Sequence, residues 1–299
     1  MIDGGCPRSR AASRHSSAKV NIPGWSISRE WKVLLASDPE EGAVHRFLED
    51  HPVLLPGGLG DIGPGGHHGP ELGGVFSEPP LHGLARDRRP DFMWVTRSTS
   101  LITPVCIEIE KPSKRWFTKD GRPTSELTQA LDQLTDWKVW FSEPENQSIF
   151  RKTYLRGQYD DRQLLPQYVL IYGRAKEFDS FEYHTRPDRL RKKRDYMRRP
   201  DESFMTFDSL EPKQERAELT TLAMTSDGPE LLAIPPTLTT GPFTGYVATE
   251  LRSPHAAVAR NKLLSDQRKG HVVERWLHWQ SVHEAPAHGL RTYSNRKGE

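Results

Sequence analysis

The spacing of apolar and polar positions changes period several times along the chain, and each change marks an element. Residues 1 to about 24 are rich in Ser, Arg, Gly and Ala with little to bury, which predicts a disordered tail, taken here to residue 28. Ser37 or Asp38 can cap a helix that runs to about Asp50, with Pro39 in its first turn. Val44, Phe47 and Leu48 form its apolar stripe, and Glu41 falls on that stripe one turn earlier. Gly57 to Gly74 is glycine-rich and reads as a mobile surface loop, followed by a short strand at Val75–Glu78. Two runs rich in β-branched and aromatic residues, Phe92–Thr96 and Leu101–Ile109, flank the turn-forming Arg97–Ser100 and predict an antiparallel hairpin.

Further on, Ser125 opens a helix whose stripe is Leu127, Ala130, Leu131, Leu134 and Trp137. Gln167–Tyr172 is a continuous apolar run ending at Gly173, the pattern of a buried strand. Pro187 to Arg199 is a basic, helix-like stretch, and Phe204–Phe207 a last strand leading into a helix. Beyond Glu211, Pro235-Pro236 and Gly241-Pro242 break up short apolar runs before a helix-like stretch from Ser253 to His283. The expected architecture is α/β: a mixed central sheet flanked by helices over residues 29–211, then a partly helical accessory segment at 212–299, expected to serve self-association or target sensing.

Composition narrows the function. The 299 residues are 35% hydrophobic and 27% charged, with a net charge of only +2. A globally basic nucleic-acid binder is excluded, so any such contact must come from local patches. Cys6 and Cys106 are the only cysteines, which excludes a disulfide framework or a cysteine-rich metal site. No apolar run approaches a membrane span and the N-terminus lacks a secretory core, so the default location is the cytoplasm, with no membrane partner.

The chemistry concentrates at residues 87–112. Asp91 starts the first hairpin strand; Glu108 and Glu110 alternate with Ile107 and Ile109 near the end of the second. A period of two sends both glutamates to the face opposite the isoleucines, and antiparallel pairing makes Asp91 a neighbour of Glu108. Converging carboxylates are costly unless they bind a cation or exchange a proton, and a hard ion such as magnesium suits them. Lys111, Lys114, Arg115 and Lys119 follow, with Trp116 and Phe117 among them: charges for phosphates and ring faces for bases. Gln129 and Gln133 lie four apart on the flank of the Ser125 helix, where both amides can face the strand pair. Arg191, Lys192, Lys193 and Arg194 are the centre of the densest positive patch and the best candidates for DNA-backbone contact. His67 and His68 lack partner ligands at fixed spacing, and His271, Glu274 and His278 do not form a zinc-hydrolase motif; both sets read as surface residues.

Arg89-Pro90-Asp91-Phe92 and Ile107-Glu108-Ile109-Glu110-Lys111-Pro112 resemble the core of PD-(D/E)xK nucleases, and more closely the Shedu (SduA-like) anti-phage defence nucleases. The resemblance covers roughly residues 38–211. It implies a metal-dependent DNA endonuclease that assembles as a homo-oligomer. Asp91 and Glu108 would hold magnesium, or manganese in its place, helped by the Ile109 carbonyl and by Glu41 from the first helix. The glutamine helix implies a supporting role for Gln133 and Gln129. The lysine usual after the Glu-x spacer is replaced by Glu110, with Lys111 next; alternation points Lys111 to the wrong face unless the strand ends or bulges. A fold that kept DNA binding or assembly and lost catalysis is the alternative.

Overall fold

The computed structural model describes residues 24–64, 68–84, 89–252 and 254–284. In chain order the first elements are α1 (Gly24–Ala36), α2 (Glu41–Asp50), β1 (Pro70–Ser77), β2 (Phe92–Arg97), β3 (Leu101–Ile109), α3 (Ser125–Ser142) and α4 (Pro144–Tyr154). There follow β4 (Gln163–Leu164), β5 (Gln167–Ile171), α5 (Lys176–Asp179), α6 (Pro187–Met197) and β6 (Glu202–Met205). The last are β7 (Thr220–Thr225), β8 (Gly228–Ala233), α7 (Pro242–Glu250), α8 (His255–Arg260) and α9 (Asp266–Glu284).

The described strands form one mixed sheet in the order β6-β5-β3-β2-β1-β7-β8, with β4 beside the start of β3. The hairpin β2–β3 sits near its centre, antiparallel, in a register that pairs Phe92 with Ile107 and Arg97 with Ile102. On its other edge β3 is parallel first to β4 and then to β5. Pro104, which cannot donate to a ladder, falls where the neighbour changes from one to the other.

Alternation divides the sheet into two apolar faces. Phe92, Trp94, Val105, Ile107 and Ile109 pack with Ile27, Trp31 and Leu35 of α1 and Val44 and Leu48 of α2. Met93, Val95 and Cys106 pack on the opposite face with Leu127, Ala130, Leu134 and Trp137 of α3 and Phe150 and Tyr154 of α4. The result is a sheet between two helical layers, the α/β arrangement the apolar pattern implies.

Three expectations need correction. Gly24–Ala36 is a helix, so order begins before residue 29; its stripe of Ile27, Trp31 and Leu35 buries itself against the sheet, and the Trp31 indole donates to the Phe207 carbonyl at 3.2 Å. The start of the glycine-rich stretch is not a surface loop: residues 51–58 are buried, and Gly57 (φ 101°) lies so close to the sheet that a Cβ would stand 2.8 Å from Val105. β1 then begins at Pro70; His68 is exposed and His67 lies outside the described residues. Finally, the sheet does not end before residue 212. β7 joins β1 in parallel and β8 pairs with β7, so the later segment extends the same sheet. Ion pairs fasten it further, Arg260 to Glu49 and Asp50 of α2, and Arg156 to Glu250 and Glu71. Among the described residues no helix is long and apolar enough to cross a membrane.

Candidate functional site

One more step of the β2–β3 register beyond Phe92–Ile107 places Asp91 opposite Glu108, as strand alternation requires. The contact is direct: the two carboxyls lie within hydrogen-bonding reach, so a proton can be held between them. The Ile109 amide donates to Asp91 Oδ2 at 2.7 Å, which locks the aspartate against the strand end. Because N–H and C=O of one strand residue point the same way, the Ile109 carbonyl faces that side too.

Two more acids complete the cluster. Glu110, 7% exposed, follows Glu108 (5% exposed) on the same face. Glu41, in the first turn of α2, reaches over the sheet end and hydrogen-bonds Glu110. Burial pushes the Asp91 carboxyl up to about 8, with Glu41 and Glu110 adding repulsion and the Ile109 amide opposing. Burial also pushes Glu108 well up, reinforced by Asp91 and Glu110. Glu41 is raised by burial and Glu110, while Lys114 pulls it down. Four acids held this close favour either shared protons or a cation.

The residues fit magnesium on one further observation. Glu108 Oε2 is buried without a hydrogen-bond partner, a costly state for a carboxylate oxygen that a metal ion would relieve. Among the described residues no group of three or more His, Cys, Asp or Glu side chains is arranged to hold an ion by itself. Two adjacent carboxylates suffice for magnesium, which keeps several waters and completes its shell with substrate phosphate oxygens.

The lysines divide. Lys111, two residues past the end of β3, points its Nζ away from the cluster to Glu40 Oε1, 2.6 Å distant. Lys114 instead forms an ion pair with Glu110 Oε2. Arg115 stacks on the Tyr183 ring at 4.0 Å.

Trp116 and Phe117 are not available to bases. They are 0% and 1% exposed, because Tyr172 after β5, Phe178 of α5, Arg194 of α6 and Phe204 of β6 cover the stretch after β3. The Trp116 indole donates to the Tyr172 carbonyl at 3.0 Å. Both of their amides donate to the buried Glu177 carboxylate, at 2.9 and 3.0 Å, and His184 Nε2 lies 3.1 Å from the same group. Nothing local in the sequence marks Glu177 for that role.

On α3 the apolar stripe turns Leu127, Ala130 and Leu134 inward, while Gln129 is exposed and lines a shallow depression with Ser125, Thr128 and Asp132. The structure therefore turns the Gln129 amide to solvent and away from the strand pair; Gln133 is half-buried on the flank. On α6, three of the four expected DNA contacts brace the fold. Arg191 bonds the Phe178 carbonyl and Asp179; Lys193 bonds the Gly121 carbonyl at 2.6 Å; Arg194 lies over the rings of Trp116 and Phe178. Lys192 makes none of these contacts and is exposed, as are Arg189 and Tyr196 one turn to either side; Arg191 and Lys193 are exposed as well, and of the four only Arg194 is half-buried. His271, Glu274 and His278 are exposed on α9.

No curated protein matches the chain. A family profile does: Shedu protein SduA, C-terminal, over residues 38–210, more than half of the chain and all of the acid cluster. With the α/β sheet and the motif that the profile spans, the chain belongs to the Shedu SduA C-terminal family of anti-phage defence proteins.

Proposed function

We propose that the protein is a magnesium-dependent DNA endonuclease of anti-phage defence, with its active site at the end of the β2–β3 hairpin. The observation that supports this most is the Asp91–Glu108 pair, two acids within hydrogen-bonding reach and raised by burial, with Glu108 Oε2 unsatisfied. Asp91 and Glu108 would hold the ion, with the Ile109 carbonyl on the same side and Glu41 at the open rim. When bound, magnesium (or manganese) polarises a phosphate and lowers the pKa of bound water. The chain's own contribution is position. The Ile109 amide fixes the Asp91 rotamer, and the β3 ladder to β5 fixes Glu108. Glu41 rides on the first turn of a helix whose Val44 and Leu48 are packed into the core. In the reaction the water oxygen bonds to phosphorus and the bond to the departing sugar oxygen breaks. The proton lost by water returns to that oxygen through solvent.

DNA as the substrate is supported by the exposed cations of α6 and its flank, Arg189, Lys192, Arg198 and Arg199, on a helix whose Lys193 reaches the turn at Gly121 after β3. Supercoiled DNA incubated with the protein and magnesium tests the reading. Cleavage that is lost in Asp91→Asn and Glu108→Gln supports it. DNA binding without cleavage by all three proteins would instead support a fold that has kept recognition and lost turnover.

A further inference from the structure

Clustered acids repel both hydroxide and phosphate, so a positive side chain beside them eases the approach of either. In this chain Glu110 is a buried acid beside Asp91 and Glu108, and the neighbouring Lys111 is turned to Glu40 instead. The chain then folds back. Lys114 N–H donates to the Lys111 carbonyl at 3.0 Å, a turn that brings residue 114 to the side of the strand where Glu110 points. The turn is held from behind. The Lys114 carbonyl packs against Gly173 (φ 58°), where a Cβ would come within 2.8 Å of it. The Lys114 side chain is 31% exposed, so a substrate phosphate can reach an ammonium group that is also anchored to a buried acid.

Resting on the nuclease reading above, we propose that Lys114, arriving from the turn behind the strand, is the cation of this active site. It orients the attacking water and counters charge on the phosphate, and Glu110 serves as its anchor. A lysine suits this place because its compact charge and three donors can hold Glu110 and still face a water or phosphate oxygen.

The full-length protein provides the test. Single-turnover cleavage is measured with magnesium, DNA affinity with calcium, and manganese affinity on DNA-free protein. Lys114→Met slows the cleavage step by roughly 10²-fold, the typical loss when a reacting group is misplaced, and lowers DNA affinity far less than it lowers the rate. It also tightens manganese binding, by about fivefold or more, because a like charge has left the neighbourhood of the ion. Adding Glu110→Lys to Lys114→Met restores most of the rate, and Lys111→Met costs far less than Lys114→Met. The proposal is overturned if Lys114→Met cuts at the wild-type rate, if its whole loss lies in DNA affinity, or if manganese affinity does not change. Failure of the nuclease reading looks different: the wild type binds manganese and DNA yet never cuts, and the manganese comparison alone then decides whether Lys114 faces the ion.

Discussion

Asp91 carries a pH signature that follows from its surroundings. Burial pushes its carboxyl up to about 8 from a usual 3.8, so the folded state binds the proton more tightly than the unfolded one. The stabilisation is fully present below about pH 3.8 and is lost as the pH rises to about 8. Metal-free protein should therefore lose thermal stability across that window, and Asp91→Asn should reduce the loss while the raised Glu108 keeps part of it; melting curves at pH 5 and pH 8 check both. Magnesium reverses the sign, because its ligands must be deprotonated: affinity rises toward pH 8 and binding releases protons, which calorimetry in two buffers reads directly. The pairing behind this effect is legible in the sequence, since a two-residue period and a short turn leave Asp91 and Glu108 little choice. The Lys114–Glu110 ion pair is not legible as such. It depends on how the chain turns between residues 110 and 114, and the same lysine reads equally well as a phosphate contact.

Elements held by one buried group make sharper predictions than elements held by many. The stretch after β3 hangs on Glu177, whose carboxylate accepts from the Trp116 and Phe117 amides. Glu177→Ala leaves two buried donors unsatisfied and should destabilise the protein by about 3 kcal/mol, measured by denaturant unfolding. On α6 the charges separate by role. Charge reversal at Lys192 and Arg189 should weaken DNA binding and reduce its salt slope by about one for each phosphate they neutralise. Reversal at Arg194, which lies over two buried rings, should instead lower the melting temperature. The helix and its charge are readable from the sequence but this division is not, because a basic residue that covers an aromatic core is written with the same letter as one that meets solvent. The burial of Trp116 and Phe117 is hidden in a similar way: what covers them comes from Tyr172, α5, α6 and β6, about 50 to 90 residues later in the chain.

At the scale of the whole molecule, the nuclease-like part and the C-terminal part share one sheet, through a parallel β1–β7 pairing that local pattern cannot reveal. Parallel neighbours separated by this much chain are fixed by topology alone. Ending the chain after Glu211 would expose the β1 edge and strip Leu222, Leu231, Val247 and Trp276 from the core they share with Phe76 and Met93. Such a fragment should aggregate or melt without cooperativity, as light scattering and circular dichroism would show; a fragment as stable as the full chain would mean the two parts are separable. The proposed catalysis rests on the acid pair at the sheet end. Its most direct test is cleavage of supercoiled DNA in magnesium by the wild type and by Asp91→Asn, each purified to the same standard. Cutting by the first and none by the second, with both proteins folded, is the predicted result; equal cutting by the two would contradict it.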